Sequence, residues 1–328
     1  MKTAQGTSRR RWSGWQDAGL VLVLLAAGAA TLAATEKAAE PIGFFGMHCG
    51  NDTNVAKAAP VLKDLGVTWV RLWCDMNWTD QKEGKAFALG RDFKAAGFKV
   101  ILLLQCPSVP DPKAVREYCD WVQKAPGMKD AVDIWEILNE INQTKYWQGT
   151  PAEYVEKVLK PAYESLHTGG ETVLGGSCTA WQDGKWGTSV TQALKDAGYL
   201  SYCDYAGTHP YTNKVVEMKD HVAAVRRIFA GKPLIATEWN FKRVADNAKW
   251  KAMLDEVLPF CRENLAIACH YRLIGMKGEG GWPGVVTSKG EPQQPFYDMY
   301  KTWTKGDLKA GAASTSGGAP ATRGKGKS

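Results

Sequence analysis

Eight short apolar segments recur along this chain, and each precedes a stretch with the pattern of a helix. The segments are residues 42–47, 67–73, 98–105, 132–138, 171–176, 204–208, 232–237 and 265–273. They are apolar throughout instead of alternating, which is typical of parallel strands covered on both faces. The residues that mark the ends of consecutive segments are separated by between 25 positions (His48 to Trp73) and 38 positions (Glu140 to Cys178). Because a strand–helix–strand unit takes about 30 residues, this spacing predicts an α/β fold, a single-domain (β/α)8 TIM barrel, and not a doubly wound sheet.

The two ends of the chain lie outside this repeat. Residues 1–34 combine arginines at positions 9–11 with an apolar run from Leu20 to Ala30, which is typical of a secretory signal peptide. The run is shorter than the roughly 20 residues that span a membrane. We therefore expect cleavage, a secreted or periplasmic protein and no stable membrane association, with an uncleaved anchor as the alternative. Residues 307–328 are rich in Gly, Ala and Lys and predict a disordered tail, which leaves residues 35–306 as the folded domain.

Charge and cysteine usage exclude several kinds of partner. The net charge is +7, of which residues 1–17 carry +3 and residues 305–328 carry +4, so the rest of the chain sums to zero. A domain without basic excess offers no surface to nucleic acid. The eight cysteines form no CxxC pair, so we expect no zinc site. We also expect no other metal, no cofactor and a monomer. Export would permit disulfides, and Cys49 and Cys74, which follow neighbouring predicted strands, are a candidate pair.

Two glutamates directly follow predicted strands. Glu140 comes after the fourth apolar segment and Glu238 after the seventh. Since the loops after the strands build the active site of a TIM barrel, both carboxylates are expected at the same end of the molecule. Two carboxylates across one cleft are what glycoside hydrolysis requires. Glu136 is the rival to Glu140, but it falls inside the strand, where a buried structural role is expected.

Further motifs accompany the two acids. Asn139 immediately precedes Glu140, Arg71 lies in the second predicted strand, His209-Pro210-Tyr211 follows the sixth, and Glu238 stands in Thr237-Glu238-Trp239-Asn240. With these residues the chain resembles the clan A retaining glycoside hydrolases, and especially those of families 39 and 5. The resemblance covers roughly residues 42–306 and makes residues 35–306 a catalytic domain.

The resemblance implies an exported retaining β-glycosidase that hydrolyses the O-glycosidic bonds of a β-linked oligo- or polysaccharide by double displacement. Glu238 is then the nucleophile, kept ionised by Arg71 and Tyr211, and Glu140 is the general acid and base. The substrate-binding residues that we expect are Asn139, Arg71, His209, Tyr211, Trp282, His48, Trp73 and Tyr271.

Three alternatives use the same residues. One is a catalytically inactive carbohydrate-binding barrel, although a binding protein would need aromatic side chains and not both carboxylates. Another is a transglycosylase, which shares the catalytic residues. The third is a metal-dependent lyase or isomerase with Glu140, Glu238 and Asp204 as ligands, although Asp204 begins the sixth predicted strand and should lie at the far end of the barrel.

Overall fold

A computed structural model of the protein describes residues 43–180, 188–241, 246–275, 284–302 and 304. Eight parallel strands form one sheet that curls into a nearly closed barrel, which confirms the predicted (β/α)8 fold. The strands are β1 (Phe45–His48), β2 (Trp69–Asp75), β3 (Lys99–Gln105), β4 (Ile134–Ile137), β5 (Val173–Gly175), β6 (Ala206–Thr208), β7 (Leu234–Trp239) and β8 (Ile267–His270). Their order around the barrel is β5-β4-β3-β2-β1-β8-β7-β6. A parallel bridge between Leu174 and Tyr205 joins β5 to β6.

Helices alternate with the strands and cover the outside of the barrel. They are α1 (Val55–Asp64), α2 (Lys85–Ala95), α3 (Pro112–Lys124), α4 (Pro151–Tyr154), α5 (Lys160–Thr168), α6 (Thr188–Asp196), α7 (Val215–Ile228) and α8 (Asn247–Asn264). One π-helical turn, Val155–Leu159, joins α4 to α5, and residues 296–302 are helical again.

Local sequence explains where several helices begin and end. Thr150 and Glu153 form a reciprocal capping box at the start of α4, with proline at the first helical position. Asp111 and Asp246 cap α3 and α8 by accepting from backbone N–H groups of the first turn. After α1, Gly66 adopts a φ of 72°, the left-handed conformation that favours glycine. These capping residues are local features of the sequence, and they determine where the helices begin and end.

The interior of the barrel changes from apolar to polar within two residues along three strands. Trp69, Ile134 and Ile235 belong to a buried apolar cluster supplied mainly by the strands. Two residues further on, the same strands carry Arg71, Glu136 and Thr237, which are also buried. Side chains two apart on a strand point to the same face. The polar groups therefore lie above the apolar floor, towards the carboxyl ends of the strands.

The structure corrects the predicted disulfide, and several other predictions lie outside the described residues. Cys49 and Cys74 are both buried free thiols, so the predicted disulfide between them is wrong. Burial raises the pKa of both thiols to about 12, which keeps them protonated and unreactive at neutral pH. Residues 1–34, residues 307–328 and Trp282 lie outside the described part of the chain. Within that part, no helix has the length and apolar character to cross a membrane.

Candidate active site

Arg71 connects the two strands that carry the acidic residues. Its Nε donates to Glu136 Oε2 at 2.6 Å, and its Nη1 donates to Glu238 Oε1 at 2.5 Å. Nη2 donates to Asn139 Oδ1 at 2.9 Å. The guanidinium and Glu136 are completely buried. Burial alone would lower the pKa of Arg71, but the carboxylates of Glu136 and Glu238 raise it well above its usual range. The expected buried role of Glu136 is thus its pairing with Arg71.

Glu238 is held in its ionised form. Burial acts to raise the pKa of this carboxyl, but His209, Arg71, His48 and a hydrogen bond from Tyr211 outweigh burial and lower it to about 2. Tyr211 donates its hydroxyl to Glu238 Oε2 at 2.8 Å, and the Arg71 bond occupies the other oxygen. Burial and the Glu238 charge together raise the pKa of Tyr211 well above its usual range, so the phenol keeps the proton that it donates.

A β-bulge in β7 directs two consecutive side chains into the barrel. Ala236 pairs with Ala268 and Trp239 with His270, so β7 uses one residue more than β8 over this stretch. In a regular strand Thr237 and Glu238 would point to opposite faces. Here Thr237 donates to Glu136 and Glu238 accepts from Arg71, both inside the barrel. Bulges re-aim side chains in this way beside functional sites, and β7 extends to Trp239 instead of ending at residue 237 as predicted.

The turn after β4 places Glu140 by means of an unusual backbone conformation. Leu138 has a φ of 63° and Glu140 a φ of 28°. Positive φ in a residue other than glycine costs on the order of 1–3 kcal/mol and persists only where the surroundings enforce it. Here the N–H of Leu138 donates to the Leu104 carbonyl, and the N–H of Ile141 donates to the Ser177 carbonyl. This strained turn brings Asn139 and Glu140 to the mouth of the barrel, where both are buried.

Hydrogen bonds to His209 determine which ring nitrogen carries a proton. His209 Nε2 lies 2.8 Å from Thr237 Oγ1, and Thr237 Oγ1 lies 2.7 Å from Glu136 Oε1. Glu136 is paired with Arg71 and can only accept, so the single hydroxyl proton of Thr237 goes to Glu136. Nε2 must therefore donate to Thr237, because a hydroxyl has one donor and further acceptor capacity.

The same chain of bonds requires a proton between His209 and Glu140. His209 Nδ1 lies 3.0 Å from Glu140 Oε1. With Nε2 protonated, a neutral imidazole has only a lone pair at Nδ1, and a hydrogen bond then needs a protonated Glu140. The other possibility is an imidazolium that donates to ionised Glu140. In either form this contact holds a proton, as a general acid requires. Gln143, which the sequence did not single out, donates its Nε2 to Glu140 Oε2.

The two candidate catalytic acids lie close together. One carboxylate oxygen from Glu140, one from Glu238 and a ring nitrogen of His209 are all within 4.8 Å of one another. The same three atoms have the separation of a metal-ligand set. Asp204, the ligand expected under the metal-dependent alternative, instead accepts from the Val173 N–H at the start of β5. The structure thus brings Glu140 and Glu238 together and leaves Asp204 away from them.

An open cavity of about 450 Å³ lies over Glu238. The side chains that line it include His48, Trp73, Tyr146, Glu238, Tyr271 and Arg272. Trp73 and Tyr146 form one wall, with ring centroids 5.6 Å apart. On the floor, the edge-to-face contact between His48 and Tyr271 has centroids 5.0 Å apart. Aromatic faces beside a few fixed polar groups are typical of a small-molecule site.

His48 is a neutral polar group in this floor. Burial, followed by the charge of Arg71, lowers its pKa to about 3. Arg71 Nη1 lies 3.1 Å from His48 Nδ1, and because arginine only donates, Nδ1 must accept. The imidazole proton is therefore on Nε2.

Most of the predicted site residues converge in the structure. Asn139 is fixed by Arg71 on its side chain and by Gln105, whose Oε1 accepts from the Asn139 N–H at 2.8 Å. Tyr271 is held by Asn240, whose Nδ2 donates to its carbonyl. Thr237, Gln143 and Arg272 were not expected in the site. The first adjoins Glu238 in the sequence, but only the bulge shows that both residues point inward.

Several solved structures with a similar fold are glycoside hydrolases. An endo-beta-1,3-glucanase of GH128 subgroup II from Sorangium cellulosum superposes with a TM-score of 0.58 at 15% identity, covering 79% of this chain and 98% of that one. A hyperthermostable endo-1,4-beta-D-mannanase from Thermotoga petrophila RKU-1 gives 0.56 at 14% identity, covering 80% and 99%. The chain shares the fold of TIM-barrel glycoside hydrolases. A GH128 subgroup I endo-beta-1,3-glucanase from Amycolatopsis mediterranei, solved with laminaripentaose, gives 0.52 at 13% identity, covering 79% and 98%.

This likeness rests on structure alone. No protein-family profile matches the chain, and no curated relative matches it. The sequence resemblance to families 39 and 5 therefore stays a prediction. What the solved structures establish is the (β/α)8 barrel fold.

Proposed function

We propose that the protein is an exported retaining β-glycosidase that cleaves a β-linked glycan by double displacement. The observation that carries this proposal is the pair of buried carboxylates, Glu140 and Glu238, with oxygens within 4.8 Å of each other. Retaining enzymes place the two carboxyl groups about 5–5.5 Å apart, whereas inverting enzymes separate them by about 6.5–9.5 Å to admit a water molecule. The short separation favours retention.

The two acids are in the states that the two steps need. Glu238 has a pKa lowered to about 2 by His209, Arg71, His48 and Tyr211 against the effect of burial, so it is ionised and able to attack the anomeric carbon. Glu140 shares a proton with His209, which it would give to the leaving oxygen. It would then accept a proton from the water that hydrolyses the glycosyl-enzyme intermediate.

Other residues of the site would position the sugar over the two acids. Asn139 has its carbonyl oxygen bonded to Arg71, which leaves the Nδ2 donor for a sugar hydroxyl next to the reacting carbon. Trp73 and Tyr146 would stack against sugar rings along the cavity wall. Export is supported by the pattern of residues 1–34.

The deciding experiment is Glu238→Ala with and without sodium azide. This variant should lose turnover of 4-nitrophenyl β-glycosides and recover it with azide, giving the glycosyl azide of inverted configuration. The stereochemistry of the first wild-type product, followed by NMR, should be retained. Wild-type turnover by Glu238→Ala, or an inverted wild-type product, would contradict the proposal. Laminari-oligosaccharides belong in the substrate panel, because a solved structure of the same fold holds laminaripentaose.

A metal-dependent reaction is the second candidate, and the Glu140, His209 and Glu238 atoms within 4.8 Å favour testing it. Hydrolysis by double displacement requires no metal. Dialysis against EDTA should leave the rate unchanged, and loss of activity that Zn²⁺ or Mg²⁺ restores would favour the metal-dependent alternative.

A further inference from the structure

Arg272 places a second guanidinium in the cavity over Glu238, where it has no strong partner among the described residues. Arg71 pairs with two buried carboxylates at 2.6 and 2.5 Å. Among the described residues, the ion pair of Arg272 is with Asp52, at 4.0 Å. The Asp52 side chain is 83% exposed, so solvent screens this pair and it neutralises little of the Arg272 charge.

The Arg272 side chain is nevertheless largely buried. It is only 15% exposed, and its Nε is a buried donor with no hydrogen-bond partner among the described residues. A buried donor left without a hydrogen-bond partner is destabilising, and more so when it is charged. Gly50 leaves room for the guanidinium, because a Cβ at that position would lie 2.7 Å from Arg272 Nη2. The packing thus holds the cation in place, and its Nε–H finds no acceptor among the described residues.

The guanidinium is close to the centre of the proposed chemistry. Arg272 follows Tyr271, and both line the cavity together with Glu238. Its charge contributes, after burial and Arg71, to lowering the pKa of His48 in the cavity floor. Lys145 adds a cation near the cavity wall, with its Nζ 4.3 Å from the Tyr146 ring centroid. A negatively charged group that enters this cavity therefore meets the positive charge of Arg272 beside the negative charge of Glu238.

We propose that Arg272 binds an anionic group carried by the sugar that is seated over Glu238, so that the substrate is an acidic β-linked glycan. This rests on the β-glycosidase function proposed above. The ligand chemistry is an oxyanion with two acceptor oxygens side by side, which the guanidinium fork of arginine binds in a bidentate manner. Its source on the sugar is the carboxylate of a hexuronate or a sulfate ester.

Three matched substrates test this proposal: 4-nitrophenyl β-D-glucuronide, 4-nitrophenyl β-D-glucoside and its 6-sulfate. The wild-type protein should prefer an anionic substrate to the glucoside. Arg272→Met should lower kcat/KM on that anionic substrate about 10–100-fold, the effect of losing hydrogen bonds to a charged group. The loss on the glucoside should be smaller, so that the ratio of the two kcat/KM values falls, because the neutral sugar makes no charged contact.

Two control variants make the result specific. Arg272→Lys keeps the charge without the fork and should fall between wild type and Arg272→Met. Arg116→Met removes an equal charge from the outer helices, where Arg116 pairs with Glu164 at 2.6 Å, and should leave the preference unchanged. A preference for the glucuronide identifies hexuronate as the source, and a preference for the 6-sulfate identifies the sulfate ester.

Failure of this proposal differs from failure of the proposed function. Preference for the glucoside, with the substrate ratio unaltered in Arg272→Met, would overturn the role of Arg272 while leaving azide rescue of Glu238→Ala intact. If none of the three glycosides is cleaved, tryptophan fluorescence titration with sodium D-glucuronate and with D-glucose decides the matter. Binding of D-glucuronate alone, lost in Arg272→Met, supports the anion site, and its absence or its persistence in the variant refutes it.

Discussion

His209 Nδ1 lies 3.0 Å from Glu140 Oε1, and a proton must lie between them. The Thr237 hydroxyl donates to Glu136, so Nε2 of His209 must donate to Thr237. A proton on Nε2 leaves Nδ1 either to accept a proton from Glu140 or, in an imidazolium, to donate one to it. The buried ion pair between Glu136 and Arg71 thus orients the imidazole that contacts Glu140. Because Arg71 also holds Glu238, one guanidinium helps to organise both candidate catalytic acids.

Removing the Thr237 hydroxyl should impair proton donation by Glu140. In Thr237→Val, the Nε2–H of His209 loses its acceptor and the preferred tautomer is no longer enforced. We expect a roughly 10-fold lower kcat on substrates whose leaving group needs a proton, and little change on those with acidic leaving groups. Thr237→Ser should restore the wild-type dependence on leaving group. An equal loss across all leaving groups would indicate a structural role only.

Glu140→Ala should separate the two steps of the reaction. Without the acid, cleavage of a glycoside with a poor leaving group should fall about 10²–10⁴-fold, while 2,4-dinitrophenyl glycosides should still form the intermediate. Azide should then accelerate turnover and give a glycosyl azide of retained configuration, the opposite of the Glu238→Ala product. Wild-type activity of Glu140→Ala on poor leaving groups would remove Glu140 from the mechanism.

Tyr211→Phe should weaken the nucleophile without abolishing it. The variant loses the 2.8 Å hydrogen bond to Glu238 Oε2 but keeps the bond from Arg71. We expect kcat/KM to fall roughly 10–100-fold, as for one lost donor in an active site. Since the Tyr211 bond helps to lower the pKa of Glu238, the acidic limb of the pH–rate profile should move to higher pH. Tyr202→Phe, at the opposite end of the barrel before β6, should change neither quantity.

His270 should make the protein less stable in acid. Its ring nitrogens are buried without hydrogen-bond partners among the described residues, and burial lowers its pKa to about 3. A histidine with a lowered pKa in the folded state binds a proton first in the unfolded state, where its pKa is about 6.5. The free energy of unfolding is therefore unaffected above pH 6.5 and decreases as the pH falls from 6.5 towards 3. His270→Met should reduce the loss of unfolding free energy between pH 7 and pH 4.5 by roughly 2–3 kcal/mol.

Chemical denaturation of wild type and His270→Met at both pH values measures this difference. The variant keeps part of the acid sensitivity, because burial and Arg71 also lower the pKa of His48 to about 3. Identical pH dependence in the two proteins would show that His270 takes up a proton as readily in the folded state as in the unfolded state.

The sequence by itself determined the barrel and the approximate position of its site. Apolar segments recur in the sequence at the length of a strand–helix unit, and each is apolar enough to be covered on both faces. This pattern predicts the parallel (β/α)8 barrel. Glu140 and Glu238 were expected at one end of that barrel because each closes such a segment. Their convergence with Arg71 and Tyr211 follows from the closure of the sheet.

Only the tertiary structure decided how the acids are aimed and what surrounds them. The bulge in β7 and the positive φ at Glu140 depend on pairing with other strands, and no residue type in the sequence requires either. The absent Cys49–Cys74 bond and the bonds from Thr237 to Glu136 and His209 likewise depend on groups distant in the chain. The pattern of buried strands depends on consecutive residues and can be read from the sequence. The direction of a side chain and the position of a proton depend on neighbours that only folding brings together.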